Sequence, residues 1–150
     1  MAAYTTVVVG TDGSDSSYIA VDRAAEIAAD TGATLVIASA YHPSNGKDLA
    51  ELQDRLGDDV AYQVVGSTPA EEAVREAAER AAAKGAASVE TVVMDGEPVP
   101  TLSTVARERS ADLLVVGNRG LNTLAGRILG SVPSEVARKS TVDVLIVHTT

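Results

Sequence analysis

Apolar residues are distributed along this chain in short unbroken runs separated by longer stretches with helical spacing. Residues 6–10 read TVVVG, a β-branched run without polar alternation, as expected of a strand covered on both faces. Comparable runs at 34–38 (TLVIA), 88–94 (SVETVVM), 113–116 (LLVV) and 143–148 (DVLIVH) predict four more strands.

Between the runs the period changes. After the turn-forming cluster Thr11-Asp12-Gly13-Ser14-Asp15-Ser16, a helix capped by Ser14 or Asp15 is predicted to reach about Thr31. Val21, Ala24, Ala25 and Ala28 share one face of it, and Gly32 supplies the stop. Thr68-Pro69-Ala70-Glu71 is a capping box with proline at the first helical position. It opens a second helix, which carries Val74, Ala77, Ala78 and Ala81 to a stop at Gly85. Asp95-Gly96-Glu97-Pro98 turns the chain before a third helix marked by Leu102, Val105 and Ala106. A fourth is predicted over residues 132–139, opened by Ser131 with Pro133 in its first turn. Small alanine faces suit helices lying close against a sheet.

The resulting order, β-α-β-α-β-α-β-α-β, argues for an α/β fold with a parallel sheet and helices on both faces. Only residues 42–67 (HPSNGKDLAELQDRLGDDVAYQVVGS) depart from the pattern. They are polar, with a weak helical period at Leu49, Leu52 and Leu56, and read as an excursion: a lid, an interface segment or a loop.

Composition narrows the function. A length of 150 residues with 45% apolar content and no Pro/Gly-rich linker predicts one domain, 1–150. The formal charge of −9 opposes nucleic acids and anionic membranes as partners. The chain has no cysteine, which excludes disulfides and thiolate metal sites and is compatible with a reducing cytoplasm. A strand beginning near the N-terminus and the lack of any apolar run of about 18 residues predict neither a signal peptide nor a membrane span. A cytosolic protein is expected.

The candidate chemistry lies in G-N-R-G-LNTLAGRIL-G-S, which joins the end of the fourth strand to the start of the fourth helix. Backbone N–H groups without partners collect at such a junction, and glycines let them approach an anionic group, so a phosphate-bearing ligand is the first hypothesis. Neither common signature fits: no Lys follows Gly130, and Gly117, Gly120 and Gly130 are not spaced as G-x-G-x-x-G. Ligands of open α/β sheets sit beyond the carboxyl ends of strands where the strand order reverses. Asp12 follows the first strand and Gly117 the fourth. If those strands are neighbours, the two face one crevice.

Strand four followed by G-x2-G-x9-G-S resembles the nucleotide-binding pattern of the universal stress protein family, with Gly117, Gly120, Gly130 and Ser131 at the fixed positions. The similarity extends to the TDGS turn, the G-E-P turn, the S-V-P segment and the VDVLIVH run, and leaves out only residues 42–67. It implies a Rossmann-like, adenine nucleotide alpha hydrolase-like sheet ordered 3-2-1-4-5, an adenine nucleotide beyond strands one and four, and a homodimer. ATP, with Mg2+, is the ligand the family implies first; cyclic AMP or AMP are the alternatives.

Carried over by position, the resemblance sets Asp12 beside ribose and adenine, with Gly10 and Thr11 lining that pocket and Ala40, just past strand two, at the adenine ring. Val116 and Gly117 would touch the nucleoside; Gly120, Gly130 and Ser131 would hold phosphates, and Val132 completes the binding set. Each residue also has a plainer reading. Asp12 alone is a common turn residue, and either Gly117 or Gly120 alone is an ordinary turn glycine. Arg119 and Arg127 could neutralise phosphate, but surface arginines are mostly solvated, and neither is included in the site. Leu121, Leu124, Ile128 and Leu129 recur at helical spacing, so the nine-residue spacer is expected to pack. His148 is expected to be exposed at the end of strand five.

No nucleophile, general base and orienting group can be assembled from the sequence, so hydrolysis is expected to be absent or very slow. A phosphotransferase built on Asp12 would need a second Asp two residues on, where Ser14 stands. A response-regulator receiver would need a Lys after its last strand, where Thr149 and Thr150 stand. The expectation is an adenine-nucleotide-binding stress or signalling protein acting by occupancy. A slow ATPase and a dimeric interaction module with an empty site are the alternatives. Strand five is apolar and would lie at an open edge, so dimerisation through residues 144–147 is predicted.

Overall fold

The run 6–10 forms β1 (Thr6–Gly10) at the centre of a five-stranded parallel sheet ordered β3-β2-β1-β4-β5. The computed structural model describes residues 3–41, 69–118 and 131–149. Within them, α1 is Asp15–Thr31, β2 Thr34–Tyr41, α2 Pro69–Ala83 and β3 Ser88–Asp95. Then come α3 (Pro98–Glu108), β4 (Leu113–Gly117), α4 (Ser131–Lys139) and β5 (Asp143–Val147). The α/β class, strand order and helical layers are those expected from the pattern and the resemblance.

Period-2 alternation sorts the strands into two cores. Val7, Val9, Leu35, Ile37, Leu113 and Val115 pack with α1 and α2 on one face. Val8, Val36, Ala38, Leu114 and Val116 pack with α3 and α4 on the other. Because both faces of β1, β2 and β4 are covered, these strands read as unbroken apolar runs, and each fully buried Val or Leu contributes roughly 1.5–3 kcal/mol. Ala20, Ala24, Ala25 and Ala28 of α1, at 0–1% exposure, let that helix approach the sheet closely.

Boundaries moved where polar residues broke the apolar pattern. Strand β2 continues past Ala38 through Ser39, Ala40 and Tyr41, because β3 pairs with it to the register Tyr41↔Asp95. Ala40, expected just past the strand, is therefore inside it. Helix α3 begins at Pro98, within the expected turn, because proline's fixed φ suits the first helical position. Ser14 is the cap of α1: its side chain accepts from the Ser17 N–H. Thr68, the predicted cap of α2, and the stretch 42–67 lie outside the described residues.

At the end of the sheet where the strands begin, Asp112 ties β4 to β1. Its carboxylate accepts from the Thr5 N–H (2.9 Å), the Thr5 hydroxyl (3.0 Å) and the Thr6 N–H (3.0 Å). Burial pushes this carboxyl up, but those hydrogen bonds outweigh it and hold it below its ordinary value.

Candidate functional site

Strands β1 and β4 are neighbours, in register as Val7↔Leu113, Val8↔Leu114 and Val9↔Val115. From β1 the chain moves outward to β2 and β3, then crosses back to β4 and β5, so the strand order reverses between β1 and β4. Asp12 and Gly117 consequently stand at the carboxyl ends of adjacent strands, the crevice position of open α/β sheets.

The β1 end is a rigid turn. The Thr11 N–H donates to the Ala38 carbonyl at 3.0 Å, extending the β1–β2 pairing. Its hydroxyl is buried 2.7 Å from the Ser17 hydroxyl and accepts from the Gly13 N–H at 3.1 Å. Thr11 therefore turns its side chain toward α1, leaving only its backbone to the crevice. Half-buried Asp12 accepts the Ser14 N–H at Oδ1 (2.9 Å), an Asx turn that fixes the carboxylate's direction. Gly13 has φ +83°, and a Cβ there would sit 3.3 Å from the Ala73 Cβ of α2. The positive φ favours glycine here, and the Ala73 methyl leaves a side chain only a tight fit.

Helix α2 is locked over this turn. Arg80 donates to both Asp22 carboxylate oxygens at 3.1 and 2.7 Å and lies 5.1 Å over the Tyr18 ring. The Tyr18 hydroxyl donates to Glu76 at 3.2 Å. Burial, with the Glu76 hydrogen bond, pushes that phenol up to about 12.

On the β4 side, Val116 is fully buried with its side chain in the α3/α4 core, beside Val132 and Val136 of α4. Gly117 faces the other way. A Cβ on it would lie 3.3 Å from the Thr149 Cγ2 and 3.9 Å from the Ala20 Cβ. Its missing side chain thus admits Thr149 and α1, while its backbone edge continues the sheet against Val147. Asn118 completes the turn: its N–H donates to the Val147 carbonyl at 2.9 Å, and its Oδ1 accepts from the Thr149 N–H (2.9 Å) and hydroxyl (2.8 Å).

Of the sequence-predicted residues, Gly10, Thr11, Asp12, Ala40, Val116 and Gly117 lie on three adjacent strand ends, and Val132, the second residue of α4, shares a core cluster with Val116. Ser131 begins α4 in its backbone. Gly120, Gly130, Arg119 and Arg127 lie outside the described residues, as do Leu121, Leu124, Ile128 and Leu129. His148 is exposed just beyond β5. Sequence reasoning missed Asn118, Thr149 and Ser17. The signal for Asn118 was present, since Asn after a strand-ending glycine is a turn former; nothing local marks Thr149, whose partner is 31 residues away.

Asp12 is the carboxylate that directly follows β1 at the crevice. No group of three or more His, Cys, Asp or Glu among the described residues could hold a metal ion. A cavity of about 330 Å³ lined by Arg107, Ser110 and Lys139 lies at the opposite end of the sheet and is separate from this crevice.

The geometry meets its counterpart in known proteins: residues 3–148 match the universal stress protein family. The chain belongs to the universal stress protein family. Universal stress protein Rv1636 of Mycobacterium tuberculosis is 56% identical over 150 residues, covering 100% of both chains. Universal stress protein YxiE of Bacillus subtilis is 32% identical, covering 95% of this chain and 97% of that one. A crystal structure of a universal stress protein in complex with cAMP superposes with a TM-score of 0.76 at 51% identity, covering 100% of each chain. The universal stress protein fold thus spans nearly all of this chain.

Proposed function

We propose that this universal stress protein binds an adenine nucleotide in the crevice beyond β1 and β4, and acts as a stress or signalling protein by occupancy rather than turnover. The observation that carries the reading is Asp12 at the end of β1, beside the end of β4, in a chain 51% identical to a universal stress protein in complex with cAMP. That neighbour moves cyclic AMP ahead of the sequence-based preference for ATP, and ATP is the competing ligand. With ATP, Mg2+ enters as the nucleotide's own counter-ion.

The chemistry supports this reading. A carboxylate oriented by the Ser14 N–H can accept from a ribose hydroxyl, and cyclic AMP retains the 2′-hydroxyl. Glycine at 10 and a half-buried alanine at 40 leave room for a flat base beside the strands. The first turn of α4 presents its N–H groups and the positive end of its dipole to phosphate. Pro133 removes one of those donors, which concentrates the role on Ser131, Val132 and Ser134. The Asp12 carboxylate, bonded into its own turn, suits a ligand acceptor better than half of a nucleophile–base pair. Among the described residues no helix is long and apolar enough to cross a membrane. We place the protein in the cytoplasm, which suits a chain without cysteine.

Mass spectrometry of small molecules released from the denatured, purified protein, with thermal shifts on adding cyclic AMP or ATP, tests the reading. A ligand at about 100 times its Kd adds roughly 2.7 kcal/mol, a rise on the order of 5–10 °C for a chain of this size. Absence of any shift with both nucleotides would leave the empty-module reading in its place. Phosphate release from ATP well above that of a Gly117→Ala, Gly120→Ala double variant would overturn action by occupancy.

A further inference from the structure

Gly117 and Asn118 carry β4 out to the crevice, and both are held from the opposite side by Thr149. Two Thr149 donors, the backbone N–H at 2.9 Å and the hydroxyl at 2.8 Å, converge on one acceptor, the Asn118 Oδ1. The Thr149 methyl fills the space a Cβ at 117 would enter, 3.3 Å away. Val116 points into the α3/α4 core, so Gly117, the next residue along the strand, opens toward the α1 face where Thr149 lies. A nucleotide on the α4 side of the sheet would therefore meet a backbone buttressed by a residue it does not touch.

We propose that Thr149 is a positioning residue for the nucleotide crevice, fixing the β4 exit through Asn118. The inference rests on the nucleotide reading above. Asn118 is half-buried, so removing the hydroxyl leaves its Oδ1 with the backbone N–H alone and loosens the turn. Ligand groups placed by β4 would then be ordered at the moment of binding, which weakens affinity without removing any direct contact. If Thr149 only secured the end of β5, its loss would lower stability and leave affinity unchanged.

Calorimetric titration with cyclic AMP, alongside thermal melts, separates the two. Thr149→Val keeps the branched shape but loses the hydroxyl, and is expected to weaken binding by roughly threefold to tenfold. Thr149→Ser keeps the hydroxyl and should bind within about twofold of the parent chain, since both hydrogen bonds survive. Asn118→Ala removes the shared acceptor, so adding Thr149→Val to it should cost nothing further. Parent-like affinity in a folded Thr149→Val protein overturns the positioning role, as does full additivity in the double variant. Failure of the parent chain to bind cyclic AMP or ATP would instead overturn the reading of the crevice, and the positioning role with it.

Discussion

Thr11 Oγ1 lies 2.7 Å from Ser17 Oγ, and this buried pair bolts the exit of β1 to the first turn of α1. The proton order follows from the neighbours. Ser17 spends its hydrogen on the Ser14 carbonyl at 2.8 Å, so Thr11 donates to Ser17 while accepting the Gly13 N–H. Thr11→Val breaks this chain at its centre, taking the donor from the buried Ser17 hydroxyl and the acceptor from the Gly13 N–H, a cost of about 1–3 kcal/mol. Urea unfolding should show the loss, and Thr11→Ser should recover most of it. An unchanged midpoint in Thr11→Val would mean that the hydroxyl chain contributes nothing net.

Asp112 fastens the other end of the same strand. Its folded carboxyl lies below its ordinary value, so the stability it contributes is fully present above the unfolded pKa and is lost as pH falls through the folded one. Asp112→Ala should therefore cost about 1–2 kcal/mol near neutral pH, allowing for partial solvent exposure. The gap between variant and parent should close on acidification below the ordinary Asp range. Melting temperatures measured across that range decide it; a constant gap would place the effect in packing rather than charge.

The central strands were legible because both of their faces are buried. Val7, Val8 and Val9 are apolar in succession for that reason, and the first run ended where β1 ends. Legibility failed where burial and polarity parted. Ser39 is 2% exposed within β2, yet its hydroxyl broke the run and cut the predicted strand short of Ala40. Asp12 and Gly117 could be singled out, but their adjacency is a property of strand order, which the resemblance supplied and periodicity could not. The Asn118–Thr149 pair was invisible for a related reason: a contact across 31 residues between side chains common in turns leaves no local pattern. Gly117 carries a double meaning. Its glycine was read as room for a ligand, while the neighbouring atoms show room for Thr149.

Ser110 was missed as a helix stop. The C-termini of α1 and α2 are followed by Gly32 at φ +73° and Gly85 at φ +100°, but α3 is closed by Ser110 at φ +52°. The Ala111 N–H reaches back to the Ala106 carbonyl at 2.8 Å and the Ser110 N–H to Arg107 at 3.2 Å, so the left-handed residue is enforced by the cap. Ser110→Gly should relieve this and stabilise the protein by about 0.5–1 kcal/mol, with the larger unfolded-state entropy of glycine already offset. Calorimetry should register a rise of roughly 1–4 °C. A fall would show that the serine hydroxyl contributes more than its backbone costs.

Strand β5 pairs with β4 alone within the described sheet, which leaves its outer edge of N–H and C=O groups available. Ile146 on that strand is 43% exposed, one of two large apolar side chains so exposed among the described residues. An unguarded apolar edge is an association hazard unless it is covered, and a second copy related by a two-fold axis covers it with the same surface. The parent chain is therefore expected to scatter light as a dimer of its 15.4 kDa subunit at micromolar concentration. Ile146→Lys would force an ammonium into the centre of that contact and weaken association by at least roughly 30-fold, the factor expected of a central interface residue. Its circular dichroism should stay native, because a side chain already 43% exposed contributes little to the monomer core. A parent chain that runs as a monomer, or a lysine variant that remains fully dimeric, would rule out pairing through residues 144–147.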